Sequence, residues 1–243
     1  MKNTLPFIML GLALAAGSAA QDRAPERASA ASLKSASSPS VGDVLTNYVT
    51  AIGGSAAWEK LKSQMAKGTY ENDQMGPGSH ALAVYKKAPD SWLFIIREPD
   101  GSVFRQGFNG KVGWNESSEL GDEQVALFGR LLGLRSGVDL PRFLPKMKFV
   151  GRSKVGSIEA FVIEAAIIEG NPEKLYFDPN SGFLIQEDFG GASVQYDDYQ
   201  EVDGVKVPFT IRQEGSPNWT VKFEEIKHNL SIEDAKFGRP KRP

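Results

Sequence analysis

From Gln64 onward, apolar and polar residues alternate with the two-residue period of β-strands, in short runs separated by turn residues. The first runs are Met65–Glu71, Ser79–Lys87, Trp92–Arg97, Val103–Phe108 and Lys111–Trp114. After an interval come Met147–Val155, Ile158–Ile168, Lys174–Phe177, Phe183–Asp188, Ala192–Val202, Val205–Glu214 and Trp219–His228. Asn109-Gly110 and Asp203-Gly204 each join two runs through residues that tolerate positive φ, which predicts two-residue hairpins. This meander predicts an α+β fold built on a strongly curved antiparallel sheet of about 11 strands, with helices covering its concave face.

Elsewhere the period is helical. Ser40 caps a helix over Val41–Ile52, with Asp43 in its first turn and Val44, Leu45, Tyr48, Val49 and Ile52 on one stripe. Gly53-Gly54 stops it, and Ser55 caps a second helix over Ala56–Leu61. The only long interval without strand pattern, Glu119 to Phe143, holds a helix over Glu123–Leu134 capped by Asp122. Its apolar residues are Val125, Leu127, Phe128, Leu131, Leu132 and Leu134; Gly133 and Gly137 break it, and Pro141 and Pro145 follow.

Between Lys86 and Asn115 the alternation nearly vanishes. Trp92, Phe94 and Ile96 point to one face of their strand, but Leu93 and Ile95 point to the other, so both faces demand cover. Trp92, Phe94, Ile96, Phe104, Phe108 and Trp114 come from neighbouring strands, and Val125, Phe128, Leu131 and Leu132 from the later helix. They either pack on one another as a solid core or wall a cavity for a lipid or acyl chain. Sequestering a methylene is worth ~0.8 kcal/mol, so a 16-carbon chain involves about 13 kcal/mol. Holding it takes a connected apolar void of roughly several hundred Å3.

Composition narrows the alternatives. Lys2, the apolar run Leu5 to Ala16 and the small residues Ser18-Ala19-Ala20 read as a cleavable signal peptide over residues 1–20, which implies export. Residues 21–39, rich in Ala, Ser, Arg and Pro, read as a disordered linker, leaving one domain over 40–243. The absence of cysteine excludes disulfides, thiol nucleophiles, Cys-ligated metal and a lipobox, so the mature protein is expected to be soluble rather than lipid-anchored. A net charge of −2 with no basic cluster among the sheet aromatics argues against nucleic acid; the basic run Lys236 to Arg242 reads as a solvated terminus. His80, inside a short strand, and His228, at the end of another, read as solvated or capped residues rather than metal ligands. The acids Asp197, Asp198, Glu201 and Asp203, like Glu224-Glu225, read as polar strand ends, because adjacent strand residues face opposite sides. No nucleophile elbow, metalloprotease helix, phosphate loop or dinucleotide fingerprint is present. No catalytic residue, metal or cofactor is expected.

The run Lys86-Lys87-Ala88-Pro89, the turn Pro99-Asp100-Gly101 and the hairpin Phe108-Asn109-Gly110-Lys111-Val112-Gly113-Trp114 resemble the LolA/LolB-like superfamily of periplasmic lipoprotein carriers and receptors. The segments Ala51-Ile52-Gly53-Gly54, Tyr176-Phe177-Asp178 and Asp234-Ala235-Lys236-Phe237 are similar to its outer-membrane lipoprotein-sorting relatives. The resemblance implies an unclosed barrel whose concave apolar face, covered by helices, receives acyl chains. In the carriers an arginine immediately before the strand-opening proline helps hold the lid closed; here Ala88 stands there, with Lys86 and Lys87 upstream.

The expected function is therefore that of a non-catalytic, monomeric periplasmic carrier of lipoprotein acyl chains or other lipid, with an envelope receptor protein as partner and no membrane span. The alternative is a structural or protein-interaction module of the envelope with a solid core.

Overall fold

The computed structural model describes residues 38–168 and 171–240. Predictions for the signal peptide and most of the linker lie outside them. Two helices come first, α1 (Val41–Ala51) and α2 (Ser55–Glu59). Five strands follow: β1 (Ser63–Asn72), β2 (His80–Lys87), β3 (Ser91–Arg97), β4 (Val103–Phe108) and β5 (Gly113–Asn115). Then come α3 (Asp122–Leu132) and α4 (Leu140–Phe143). The second half comprises β6 (Met147–Val155), β7 (Ile158–Ile168), β8 (Asn171–Phe177), β9 (Leu184–Phe189), β10 (Ala192–Val202), β11 (Val205–Glu214) and β12 (Trp219–His228), ending in a 3-10 helix over Asp234–Phe237.

All 12 strands form one antiparallel sheet, ordered β5-β4-β3-β2-β1-β12-β11-β10-β9-β8-β7-β6. The two meanders meet where β1 pairs with β12, and the sheet stays open between β5 and β6. The segment bearing α3 and α4 spans that opening in sequence. At the central seam β1 approaches β12 so closely that a Cβ on Gly68 would lie 1.9 Å from the Lys222 carbonyl oxygen. Only glycine fits there.

Local chemistry explains the ends of α1. Ser40 and Asp43 form a capping box: the Ser40 hydroxyl accepts from the Asp43 amide, and the Asp43 carboxylate accepts from the Ser40 amide. Val44, Tyr48 and Ile52 are buried in the main core, with Leu45 and Val49 packed beside them. The Ile52 carbonyl then accepts from the Trp58 indole and the Lys206 amide, fixing the α1–α2 junction against β11. Gly53 faces the β10–β11 turn there; a Cβ would meet the Gly204 oxygen at 2.4 Å.

Three local predictions need correction. Ser55 is the first residue of α2 and caps nothing; Gly54, at φ 80°, is the N-cap. α3 begins one residue early, with Gly121 as its N-cap, because Gln124 reaches back to accept from the Gly121 amide. Asn109-Gly110 opens a four-residue loop, since the Asn109 side-chain oxygen accepts from both the Lys111 and Val112 amides and delays β5 to Gly113. Asp203-Gly204 does form the two-residue hairpin, at φ 52° and 82°.

Both faces of β3 are dry, each for its own reason. Trp92, Phe94 and Ile96 face the concave side, where Trp92 meets Phe128 of α3 at 5.7 Å between rings and Ile96 joins the main core. Leu93 and Ile95 face the convex side and pack with Trp114, Tyr85, Ile232 and Phe237. The C-terminal segment is their cover: the Trp114 indole donates to the Phe237 carbonyl at 2.8 Å, Lys87 pairs with Asp234, and the Lys236 ammonium sits 3.9 Å above the Tyr85 ring. The tail is thus docked through Phe237, while the basic side chains of Lys236 and Arg239 stay exposed.

Candidate functional site

Tyr48 of α1 and Ile52 just after it, Leu131 and Leu132 of α3, and the concave side chains of both meanders line a cavity of about 200 Å3. Its sheet wall includes Ala66, Leu82, Val84, Phe94, Val207 and Val221. Strand alternation builds this wall: on β2, His80, Leu82, Val84 and Lys86 share the concave face, apolar in the middle and polar at both ends. The void is smaller than the several hundred Å3 typical of a ligand pocket, and it is partly open to solvent.

The ten residues singled out from sequence occupy three positions. Phe94, Leu131 and Leu132 line the cavity. Around it stand Trp92 with its ring neighbours Phe108 and Phe128, Ile96 and Phe104 in the main core, and Val125, which sits over Gly113. Trp114 lies on the convex face, because it follows the register row Leu93–Gly107–Trp114 and rests on Gly107, where a Cβ would come within 2.9 Å of its ring.

Sequence reading missed the charged residues of the interior. Arg130 of α3 is buried, and its Nη2 lies 2.7 Å from Glu173 Oε2 of β8 and 2.8 Å from Glu187 Oε2 of β9. This contact ties α3 to the second meander. The guanidinium that secures α3 comes from the helix itself. One guanidinium faces two carboxylates; burial raises the Glu173 pKa to about 7, against the pull of Arg130. Burial, followed by the Glu187 charge, also raises the hydroxyls of Tyr48 and Tyr196. The signal was present in the helix pattern, since Arg130 lies three residues after Leu127 and four before Leu134, on the apolar stripe.

Lys86 lines the cavity from β2, and desolvation lowers its pKa from 10.5 to about 8. Replacing it with methionine is expected to stabilise the fold by about 1–2 kcal/mol at pH 7, a figure discounted for the lysine's contact with the cavity. The sign follows from linkage. Between pH 8 and 10.5 the unfolded lysine binds more protons than the folded one, so the wild type recovers stability as pH rises. Urea unfolding of both proteins should show a gain that is full below pH 8 and gone near pH 10.5; a gain independent of pH would show that Lys86 pays no desolvation cost.

Neither histidine is solvated, and of the two only His228 is capped. His80 is buried with both ring nitrogens unpartnered, and His228 is buried with Nδ1 3.2 Å from Asp203 Oδ2. Burial, opposed by Asp203, lowers the His228 pKa. Among the described residues no group of three metal-ligating side chains comes together, and no helix is long and apolar enough to cross a membrane.

Solved structures share this architecture. A LolA superfamily protein from Nitrosomonas europaea superposes with a TM-score of 0.55 at 12% identity, over 83% of this chain and 99% of its own. The fold is LolA-like. A DUF1329 family protein from Desulfovibrio piger matches this LolA-like chain at TM-score 0.51 and 9% identity, over 82% of this chain and 97% of the other. A domain from Vibrio parahaemolyticus named for outer membrane lipoprotein sorting matches at 0.52 and 10% identity, over 80% and 94%. By sequence, no family model and no curated protein matches.

Proposed function

We propose that this LolA-like protein is an exported, non-catalytic carrier that shelters lipid, or the acyl chains of lipoproteins, between its concave sheet and α3. It works as a monomer in the periplasm, after loss of residues 1–20, and delivers to an envelope receptor. The observation that carries this reading is the apolar cavity walled by Val84, Phe94, Leu131 and Leu132, in a fold shared with a domain named for lipoprotein sorting. Occupation requires α3 to move outward, enlarging the cavity and bringing Trp92, Ile96, Phe104, Phe108, Val125 and Phe128 into its wall. The glycines bounding α3, Gly121 and Gly133, suit such a movement.

Native mass spectrometry of protein purified from its own envelope tests the proposal. A co-purifying lipid or lipidated polypeptide at up to one equivalent is the expected result. Ligand-free protein that also takes up no long-chain amphiphile in vitro would refute it.

A further inference from the structure

Three polar side chains stand in one row across the concave face. His228 of β12 pairs with Gln64 of β1, Gln64 pairs with Lys86 of β2, and the row continues to Trp92 of β3. Cross-strand partners project to the same face with Cβ atoms about 4.5–5.5 Å apart. Gln64 and Lys86 line the cavity directly, at one end of the apolar wall that Val84 and Leu82 continue along β2.

The polar capacity of this row is unspent. The Lys86 ammonium makes no ion pair among the described residues, and burial alone perturbs it. His228, with a fully buried side chain, keeps Nε2 without a partner, and the Trp92 indole nitrogen is likewise buried and unpartnered. The nearby acids are committed elsewhere. Asp203 meets the far nitrogen of His228 with a carboxylate that is 60% exposed, and Glu187 at the cavity wall is held by Arg130. A cation and buried polar groups left unpaired cost free energy that a ligand with matching acceptors would return.

We propose that Lys86, Gln64 and Trp92 receive the anionic head group, a carboxylate or a phosphate, of an amphiphile whose chain lies along the apolar wall of the cavity, with the neutral His228 ring flanking the row. This deepens the carrier reading and rests on it. Lys86 supplies the charge, Gln64 and Trp92 supply N–H donors, and Val84 and Leu82 start the path of the chain.

Calorimetric titration of the whole mature protein with palmitate, hexadecyl phosphate and hexadecan-1-ol tests the site. Both anions are expected to bind the wild type at least about 10-fold more tightly than the alcohol. The tighter of the two identifies the head group. Lys86→Met should erase that preference while leaving alcohol affinity within about threefold, and Lys86→Arg should retain it. Equal binding of anions and alcohol by the wild type, or a preference that survives Lys86→Met, overturns the anion site and leaves the carrier reading standing. If the wild type binds none of the three, both readings fall.

Discussion

Arg130→Met lowers the unfolding free energy by about 3–5 kcal/mol, or roughly 6–20 °C in Tm for a domain of this size. The loss arises less from a missing attraction than from what remains, since Glu173 and Glu187 are then buried together with no cation. Burial already raises the Glu173 pKa to about 7 against the pull of Arg130, and removing that cation leaves the raising unopposed. Such a carboxylate binds more protons folded than unfolded, so stability falls as pH rises through the interval between the folded and unfolded pKa values. The deficit of Arg130→Met should therefore be larger at pH 8 than at pH 5. Replacing the whole cluster, as Arg130→Met with Glu173→Leu and Glu187→Leu, should restore wild-type stability or exceed it by about 1–4 kcal/mol, because no ion is left in a dry interior. Thermal and urea unfolding at both pH values provide the measurement. A single variant as stable as the wild type would mean that the cluster does not secure α3.

Ala66→Phe weakens chain uptake at least about 10-fold while the fold survives. Ala66 is buried on β1 and lines the cavity, so a phenyl ring placed there projects into the void of about 200 Å3. Overpacking costs about 1–3 kcal/mol at most sites, and less where a void receives the added atoms. Affinity for a 16-carbon chain should fall by at least about 10-fold, because the ring occupies the room of several methylenes worth ~0.8 kcal/mol each. Titration with hexadecan-1-ol, alongside urea unfolding, separates the two effects. If the protein is instead a solid-core interaction module, the variant changes stability but has no chain affinity to lose.

Much of the architecture was legible because it depends on short-range rules. The capping box of α1, the Asp203-Gly204 hairpin and nearly every strand follow from residues within a few positions of one another. Trp92, Phe94 and Ile96 share a face for the same reason. Errors arose where a side chain bonded to a backbone a few residues away: Asn109 lengthened its loop, and Gln124 displaced Asp122 from the cap. Trp114 belongs to the convex face with either hairpin, since lengthening the loop by two residues keeps the face; its partners Gly107 and Leu93 show it apart from the Trp92 row.

The candidate site was legible only in its apolar half. Phe94, Leu131 and Leu132 could be named because apolar residues on a patterned face advertise burial. Arg130 and Lys86 lie on equally apolar faces, but a charged side chain does not reveal whether it reaches water or a partner. That depends on Glu173 and Glu187, 43 and 57 residues beyond Arg130, and on the row that sets Lys86 beside Gln64 and His228.

The sequence by itself determined the strands, the helices, the need to keep both faces of β3 dry and the absence of cysteine chemistry, since each rests on residue type and local spacing. Only the tertiary structure decided what keeps those faces dry. It placed α3 over Trp92 and the C-terminal segment over Leu93 and Trp114. It also decided where the buried charges go, because pairing across the sheet brings together groups that lie far apart along the chain.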